Sequence, residues 1–300
     1  MPTRYVAAGA GRPRRLVWMD VRDLSLDHAF LGADIVEHEP SRDWFVTGFD
    51  GLRRVPEERR TAVPLRGIVF HLARCGSTLV RRLLGAIDGR LVLSEPGILN
   101  QALLESASED IKPLIDCALA SFAGRCDAGY IKSTNWNVLH GGEILDALGS
   151  PPAIFLFRDP GAILAAMHES VEDRRRIQDP EDRDRRRWDE IHETNARHLE
   201  AMMDSALHLY ESGRIRCAAY EDVVERLTDG DLPEFLGFEV DAELRSSMLR
   251  CASMDSKDGT REFKADGERK RRYLESQPSL LRHRARLDPI HRRLESAART

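Results

Sequence analysis

The sequence predicts an α/β protein whose central parallel sheet has helices on both of its faces. From residue 67 onward, short apolar runs alternate with segments of helical spacing, as in repeated β-α units. One of these runs, residues 153–157, is almost wholly apolar, which is typical of an interior parallel strand buried on both faces. The turn after the first run contains a glycine, two small hydroxyl residues and a cation, a composition typical of a helix start that binds an anion.

The segment before this pattern has weaker signals. Residues 1–15 include the alanine- and glycine-rich run 7–11, and we expect them to form a flexible N-terminal arm. Residues 16–21 and 44–49 have strand-like content, and the stretch that contains Pro40 between them is expected to be a loop. We expect this segment to pack beside the core.

We expect one domain over residues 16–300, with its core in 67–237 and a C-terminal loop and helices in 238–300. Residues 172–193 are dense in both charge signs, which favours a solvated helix with i,i+4 pairs over a binding surface. A mobile lid is the alternative interpretation of this stretch. Pro160 is expected in the first turn of a helix, where proline is tolerated. The predicted strands are 67–72, 91–93, 129–133, 153–157 and 215–219, and the predicted helices are 77–86, stretches from Ile98 and Ile111, 142–148, one from Pro160, 192–210 and 289–298.

Composition excludes several classes of protein. A chain of 300 residues with 42% hydrophobic and 32% charged residues is typical of a soluble globular protein. The net charge of −5 argues against broad nucleic-acid binding. The 5 cysteines show no C-x-x-C spacing, which argues against a zinc site or a disulfide framework. Since no apolar run has the length of a signal peptide or a membrane span, we expect a cytoplasmic protein.

The turn after the first predicted strand is the strongest local signal. Backbone N–H groups at a helix start bind anions, and the hydroxyls of Ser77 and Thr78 add donors. The turn is not the triphosphate loop G-x-x-x-x-G-K-[ST], because Ser77 follows Gly76 where that loop requires lysine. The first glycine of that loop is also missing. These differences point to a donor other than a nucleoside triphosphate.

Ligands of parallel α/β sheets bind beyond the carboxyl ends of the strands. Polar or charged residues follow each predicted strand of the core at this edge. They are Arg74, Glu95, Lys132, Arg158 and Tyr220.

Four motifs resemble those of sulfotransferases, in the same order along the chain. Residues 74–79, Arg-Cys-Gly-Ser-Thr-Leu, resemble the family's phosphosulfate loop, [RK]-x-G-[ST]-[ST], and residues 157–160, Phe-Arg-Asp-Pro, resemble its second signature. Residues 220–223, Tyr-Glu-Asp-Val, and the helix-forming run 232–237 resemble the elements that follow. The resemblance implies a P-loop-NTPase-like three-layer fold, and PAPS (3′-phosphoadenosine 5′-phosphosulfate) as the donor without a metal.

The resemblance also implies roles for residues at the donor site. Arg158 is expected to contact the 3′-phosphate of PAPS, and Tyr220 to lie near its adenine. Arg74 is expected to stabilise charge on the leaving oxygen, and arginine at this position resembles the carbohydrate and tyrosylprotein branches of a bacterial sulfotransferase family. The loop residues expected to bind the donor are Arg74, Cys75, Gly76, Ser77, Thr78 and Leu79.

Glu95 is the expected catalytic base, because a carboxylate after the second strand can accept the proton of an acceptor hydroxyl. The alternative is a turn carboxylate paired with an arginine. The phenol and steroid branch instead uses a histidine, whose matching position here is Thr134, and a threonine cannot act as a base. Lys132 matches a family lysine that contacts the donor or leaving group, although an edge lysine remains the alternative.

Other positions depart from the family pattern. The usual serine eight residues after the second signature's arginine is Ala166 here, and Ser170 lies one further turn along. Lys257 and Arg261 occupy the place of the family's late basic phosphate loop, with solvated charges as the alternative. Trp136 and His168 are candidate substrate residues, but core packing is an alternative for Trp136 and a structural role is favoured for His168.

The expected activity is therefore transfer of a sulfuryl group from PAPS to a hydroxyl or amine of a small-molecule or carbohydrate acceptor. Two alternatives stay open: a small-molecule kinase or other nucleotide-dependent transferase, and a non-catalytic nucleotide-binding protein of the same fold. Neither the acceptor nor the oligomeric state can be predicted from the sequence.

Overall fold

A computed structural model describes residues 1–6, 14–21, 23–24, 26, 30–105, 108–178, 185–255, 261–262 and 267–300. At residues 5–6, 38–39, 53, 171–178 and 185–187 the description covers the backbone alone.

The described part of the chain alternates strands and helices from residue 65 to residue 236. The strands are β1 (Pro2–Val6), β2 (Arg15–Met19), β3 (Trp44–Gly48), β4 (Leu65–His71), β5 (Arg90–Ser94), β6 (Ala128–Lys132), β7 (Ala153–Phe157) and β8 (Arg216–Ala219). The helices are α1 (Leu31–His38), α2 (Asp50–Arg53), α3 (Glu57–Arg60), α4 (Ser77–Gly85), α5 (Gly97–Leu104), α6 (Ser108–Ala120), α7 (Gly141–Ala147), α8 (Pro160–Gln178), α9 (Arg185–Glu211), α10 (Val223–Thr228), α11 (Leu232–Leu236), α12 (Ala242–Ser253), α13 (Gly267–Glu275) and α14 (Pro278–Ala298), with short 3-10 helices at Glu39–Ser41 and Asn135–His140.

The core sheet confirms the predicted α/β class. Among the described residues, five parallel strands pair in the order β5-β6-β4-β7-β8. Strand β7 lies between β4 and β8, and all five of its side chains are buried, as its apolar composition predicts. Because the strands are parallel, their carboxyl ends lie along one edge of the sheet.

Strand β4 shows that helices cover both faces of the sheet. A Cβ atom at Gly67 would lie 3.0 Å from the Leu236 side chain of α11. Three residues later, the Phe70 ring lies near α7, since a Cβ at Gly141 would be 3.8 Å from it and 2.5 Å from Leu209 of α9. Side chains three apart on a strand point to opposite faces. Helices α11 on one face, and α7 and α9 on the other, therefore complete a three-layer arrangement.

The N-terminal segment forms a second, antiparallel sheet in the order β1-β2-β3. Its β1 packs against α5 and α6, beside the core. The sequence predicts a flexible arm for residues 1–15, but residues 2–6 pair with β2, and the Thr3 hydroxyl also donates to the Val17 carbonyl at 3.2 Å. The alanine- and glycine-rich run that suggests an arm, residues 7–11, lies outside the described residues. The division into an arm and one domain stays a prediction.

Helix α14 begins eleven residues before the predicted start at residue 289. Proline removes one hydrogen bond inside a helix and normally ends it, yet Pro289 lies within α14. Leu280, Leu287 and Leu294 are all fully buried and lie on one face at a spacing of seven residues. Their burial against the core offsets the cost of the proline. No helix in the described ranges is both long and apolar enough to span a membrane.

Candidate active site

The turn between β4 and α4 contains Gly76, whose backbone conformation and close contact with Tyr220 both favour glycine over residues with a side chain. Gly76 has φ +86°, in the left-handed region, and a Cβ atom there would lie 2.3 Å from the Tyr220 ring. The turn then becomes α4, where the Leu79 amide donates to the Gly76 carbonyl at 2.9 Å. The first amides of a helix have no acceptor within it and carry the positive end of the helix dipole. An anion is the natural partner for this turn.

Tyr220 and Arg158 meet at the same turn. The Tyr220 ring lies against Gly76, at the distance that only a glycine permits. The Arg158 guanidinium carbon lies 4.5 Å from the centroid of that ring, a cation–π contact. Tyr220 and Arg158 follow neighbouring strands, and the Tyr220 amide donates to the Phe157 carbonyl at 2.8 Å. Three predicted motifs far apart in the sequence therefore meet at one point.

The Arg74 side chain reaches across to helix α8. Its Nη2 donates to the Ser170 hydroxyl, and the Arg74 side chain stays exposed to solvent. Ser170, one turn beyond Ala166, is thus the α8 hydroxyl that contacts the turn. Arg74 also has φ 57°, a left-handed conformation that is strained for a residue with a side chain.

A lysine–glutamate pair lies at the ends of β6 and β5. Lys132 Nζ is 2.5 Å from Glu95 Oε1, and the side chains are 1% and 23% exposed respectively. The Glu95 amide also donates to the Lys132 carbonyl at 2.6 Å, and Glu95 has φ 53°. Glu95 is paired with a lysine, not with an arginine as the structural alternative supposed. Strand β6 is interior, so Lys132 is not an edge lysine.

Burial dominates the electrostatics of this pair. It lowers the pKa of Lys132, and the attraction of Glu95 only partly offsets the effect. Cys75 in the turn is fully buried, which raises the pKa of its thiol to about 12, with Lys132 acting weakly in the opposite direction. Cys75 therefore stays a protonated, unreactive packing residue.

His71, the last residue of β4, is a site neighbour that sequence reasoning missed. Its Nδ1 and Nε2 lie 2.8 Å from the carbonyl oxygens of Leu72 and Ser133, and Nε2 is 3.8 Å from Glu95 Oε1. Two carbonyl partners favour the doubly protonated ring, but burial and then Lys132 dominate and lower the His71 pKa to about 4. The ring is therefore neutral near pH 7. Its position at a strand end, three residues before Arg74, was the available signal.

The segment after Lys132 is fixed by a polar network. Asn100 Nδ2 donates to the Thr134 hydroxyl at 2.8 Å, and Asn137 Nδ2 donates to Asn100 Oδ1 at 2.9 Å. The Thr134 amide donates to Asn137 Oδ1 at 2.8 Å. Thr134 is thus a helix cap. Trp136, in the same segment, is half-buried against the core with its ring edge-on to His140 at 5.8 Å.

His168 lies in a different environment from the turn. Its side chain is 6% exposed, its Nδ1 is 2.5 Å from Nε2 of His192, and its ring centroid is 4.1 Å from that of Trp188. Residues two apart on a helix point in nearly opposite directions, so His168 lies on the other side of α8 from Ser170. This is the environment of a packed, nearly buried side chain, and a role of His168 in substrate binding stays a prediction.

The predicted late basic loop is only partly described. Lys257 lies outside the described residues. Arg261 is exposed, and its carbonyl accepts from the Asp255 amide at 2.7 Å. The Asp255 carbonyl in turn accepts from Arg82 of α4 at 2.8 Å. The base of this loop is therefore tied to the helix that begins at the turn.

Asp159, the carboxylate that follows Arg158, has partners within the protein. Asp159 Oδ1 accepts from the Ala162 amide at 2.8 Å as a cap of α8, and its Oδ2 lies 3.1 Å from Arg284. In the ranges that the structure describes, no cluster of three or more histidine, cysteine, aspartate or glutamate side chains is arranged to hold a metal.

Comparisons with known proteins give distant structural similarities alone. No protein-family model matches the chain, and no curated protein matches it in sequence. Solved structures similar to it include a sulfotransferase from Mycobacterium avium, with 12% identity over 82% of this chain and 81% of that one, at TM-score 0.49. A sulfotransferase from Alicyclobacillus acidocaldarius has 18% identity over 79% and 96% of the two chains, at TM-score 0.44. The sulfotransferase domain of the Synechococcus PCC 7002 olefin synthase has 14% identity over 78% and 97%, at TM-score 0.44. At this distance, function has to be derived from the site's own residues.

Proposed function

We propose that the protein is a sulfotransferase, which moves a sulfuryl group from PAPS to a hydroxyl or amine of a small-molecule or carbohydrate acceptor. The observation that carries the proposal is the meeting of Gly76, Tyr220 and Arg158 at a helix start. This arrangement offers an aromatic face, a cation and an anion-binding turn side by side. PAPS has one group for each: an adenine ring, a 3′-phosphate and a phosphosulfate.

The donor would be held by these groups in separate roles. The Tyr220 ring supports the adenine, and Arg158 binds the 3′-phosphate by charge-assisted hydrogen bonds. The first amides of α4, with the hydroxyls of Ser77 and Thr78, bind the phosphosulfate. Cys75 and Leu79 complete the turn by packing, since both are buried.

Transfer proceeds by in-line displacement. The acceptor oxygen attacks the sulfur atom, and the bond between sulfur and the bridging phosphate oxygen breaks. Its electron pair stays on the phosphate of the product PAP, where Arg74 stabilises the charge. The proton of the acceptor hydroxyl passes to Glu95. Because a sulfuryl group carries less charge than a γ-phosphoryl group, fewer cations are needed.

Lys132 positions the base in this mechanism. Lys132 lies at the end of an interior strand, and its Nζ is 2.5 Å from Glu95 Oε1. This contact gives the Glu95 carboxylate a fixed direction. Arg74 and Glu95, the proposed charge stabiliser and base, both have positive φ. Strained backbone of this kind is concentrated at functional sites, and two of the three such non-glycine residues in the described ranges are these two, the third being Ser150.

The 3′-phosphate site is the least usual part of the proposal. Ala166 offers no hydroxyl, and Ser170 is engaged with Arg74. We assign the remaining contacts with the 3′-phosphate to the cations Lys257 and Arg261, whose loop is tied to α4 through Arg82 and Asp255.

The five free thiols support a reducing compartment such as the cytoplasm.

Label transfer tests the proposal. The protein is incubated with PAPS labelled with ³⁵S and a small-molecule extract of the producing cell, and in parallel with Mg²⁺ and ATP labelled with ³²P at the γ-position. We expect ³⁵S to move to an extract compound, with one PAP released per transfer. Movement of ³²P instead would support a kinase, and movement of neither label would support a non-catalytic protein.

A further inference from the structure

Phe30, from the N-terminal segment, lies at the proposed catalytic pair. Its ring centroid is 5.2 Å from Lys132 Nζ, while the same ammonium is 2.5 Å from Glu95 Oε1. Phe30 remains 43% exposed, although its neighbour Leu31 is only 4% exposed. The ring therefore has one neighbour in the catalytic pair and a large area that faces solvent.

The backbone around Phe30 is held in place by the core. Phe30 directly precedes helix α1, and its carbonyl accepts from the Ala33 amide in the first turn of that helix at 3.0 Å. Earlier in the segment, the Leu26 carbonyl accepts from Arg81 of α4, and the Leu24 carbonyl accepts from Arg125 at 3.0 Å. These hydrogen bonds connect the backbone of Leu24 and Leu26 to two residues of the core domain.

Phe30 and Glu95 share Lys132 as a neighbour. Lys132 is 1% exposed, which leaves the 23% exposed Glu95 as the accessible member of the pair. The Phe30 ring and the Glu95 carboxylate both lie beside the Lys132 ammonium, so an acceptor bound at Glu95 has the exposed ring within reach of its carbon skeleton. The nearby polar group on β4, His71, has both ring nitrogens directed at backbone carbonyls.

We propose that Phe30 is a specificity-determining residue of the acceptor site, which takes an alcohol or phenol whose hydroxyl is attached to an apolar ring. This inference rests on the proposed function and makes its acceptor class narrower. Contact between the Phe30 ring and an apolar skeleton removes apolar surface from water, which favours binding. A polyhydroxylated sugar would have to bury hydroxyls against this ring without hydrogen-bond partners, at a cost in affinity.

The test is binding of 2-naphthol, followed by its own fluorescence, to protein saturated with PAP. Wild type is compared with Phe30→Ala, Phe30→Leu and the control Val36→Ala. Val36 is an exposed apolar residue of helix α1, the helix that follows Phe30, at 69% exposure, so it controls for general loss of apolar surface. Glucose, followed by its displacement of 2-naphthol, represents the polyhydroxylated class. Thermal unfolding of each variant reports whether the fold is intact.

We expect 2-naphthol to bind wild type with at least tenfold higher affinity than glucose. Phe30→Ala should weaken it about tenfold, which corresponds to about 1.4 kcal/mol, and Phe30→Leu should weaken it about threefold. Val36→Ala and the affinity for PAP should stay within about twofold of wild type. Equal loss in Phe30→Ala and Val36→Ala, or preference for glucose, would overturn the acceptor inference alone. Failure of wild type to bind PAP would overturn the sulfotransferase proposal and this inference together.

Discussion

Replacement of Glu95 by glutamine should destabilise the protein as well as inactivate it. Glu95→Gln removes the charge partner of Lys132, whose side chain is only 1% exposed. A buried ammonium without its counter-ion costs about 3 kcal/mol in free energy of unfolding, at the low end for broken buried pairs because Glu95 itself is 23% exposed. Sulfuryl transfer should be lost, while the affinity for PAP stays within about twofold, because Glu95 does not lie in the donor turn.

A double-mutant cycle separates the pair from its surroundings. Lys132→Met leaves a carboxylate that can turn towards water, so we expect it to cost about 1 kcal/mol. The double variant of Glu95→Gln with Lys132→Met contains no buried charge and should lie within about 1 kcal/mol of wild type. Urea unfolding at pH 7 measures the free energy of unfolding of wild type, the two single variants and the double variant. Asp116→Asn is the control, because its partner Lys112 is 49% exposed, and it should cost less than about 0.5 kcal/mol.

The pH dependence of Glu95→Gln gives a second measurement. Burial lowers the pKa of Lys132 below 10.5, so the unfolded chain binds more protons than the folded chain at alkaline pH. Glu95 raises the pKa of Lys132, so its removal lowers that pKa further, and the stability of the variant should rise relative to wild type as the pH rises from 7 towards 10. A deficit that does not change with pH, or a double variant as unstable as Glu95→Gln, would refute this interpretation of the pair.

Four further predictions concern the turn and its neighbours. Gly76→Ala should weaken PAP binding at least tenfold by calorimetry, because its φ is +86° and its Cβ would meet Tyr220 at 2.3 Å. Ser170→Ala should lower kcat about three- to tenfold with little change in PAP affinity, because it releases Arg74, as steady-state kinetics would show. His71→Asn should reduce the loss of stability between about pH 6.5 and pH 4 in urea unfolding, because a folded-state pKa near 4 makes the unfolded chain the better proton acceptor in that window. Native Cys75 should resist iodoacetamide in mass spectrometry, because burial raises its pKa to about 12.

Each of these predictions has an internal control. Gly85→Ala is matched to Gly76→Ala, since a Cβ at Gly85 would have open space, and equal effects of the two would contradict the conformational argument. For Ser170→Ala, a fall in PAP affinity larger than the fall in kcat would place Ser170 at the donor instead. The stability difference between His71→Asn and wild type should not change with pH above about pH 7, and an unaltered acid transition would show that His71 is not responsible for it. The Cys75 thiol should react with iodoacetamide only in denaturant.

The sequence predicts much of the fold because the core strands carry local signals. Strand β7 is apolar throughout, which indicates burial on both faces, and Pro160 marks the start of the following helix. The candidate site could be placed for the same reason, since the residues after parallel strands must share an edge. The meeting of Arg158 with Tyr220 follows from this topology.

The side-chain partners could not be predicted, because they join positions far apart in the chain. Arg74 and Ser170 are 96 residues apart, and Lys132 and Glu95 are 37 apart. Motif spacing identifies Lys132 as a site residue but not its burial, which decides its pKa. The contact of Phe30 with Lys132 depends on how the N-terminal segment packs, and local composition does not determine that packing.

Calorimetric titration of PAP, with and without Mg²⁺, tests the donor site most directly. We expect PAP to bind one site per chain with an affinity that Mg²⁺ leaves unchanged within about twofold, and ATP with Mg²⁺ to bind at least tenfold more weakly. Binding of ATP that requires Mg²⁺ and exceeds that of PAP would contradict the proposed donor, as would the absence of any PAP binding.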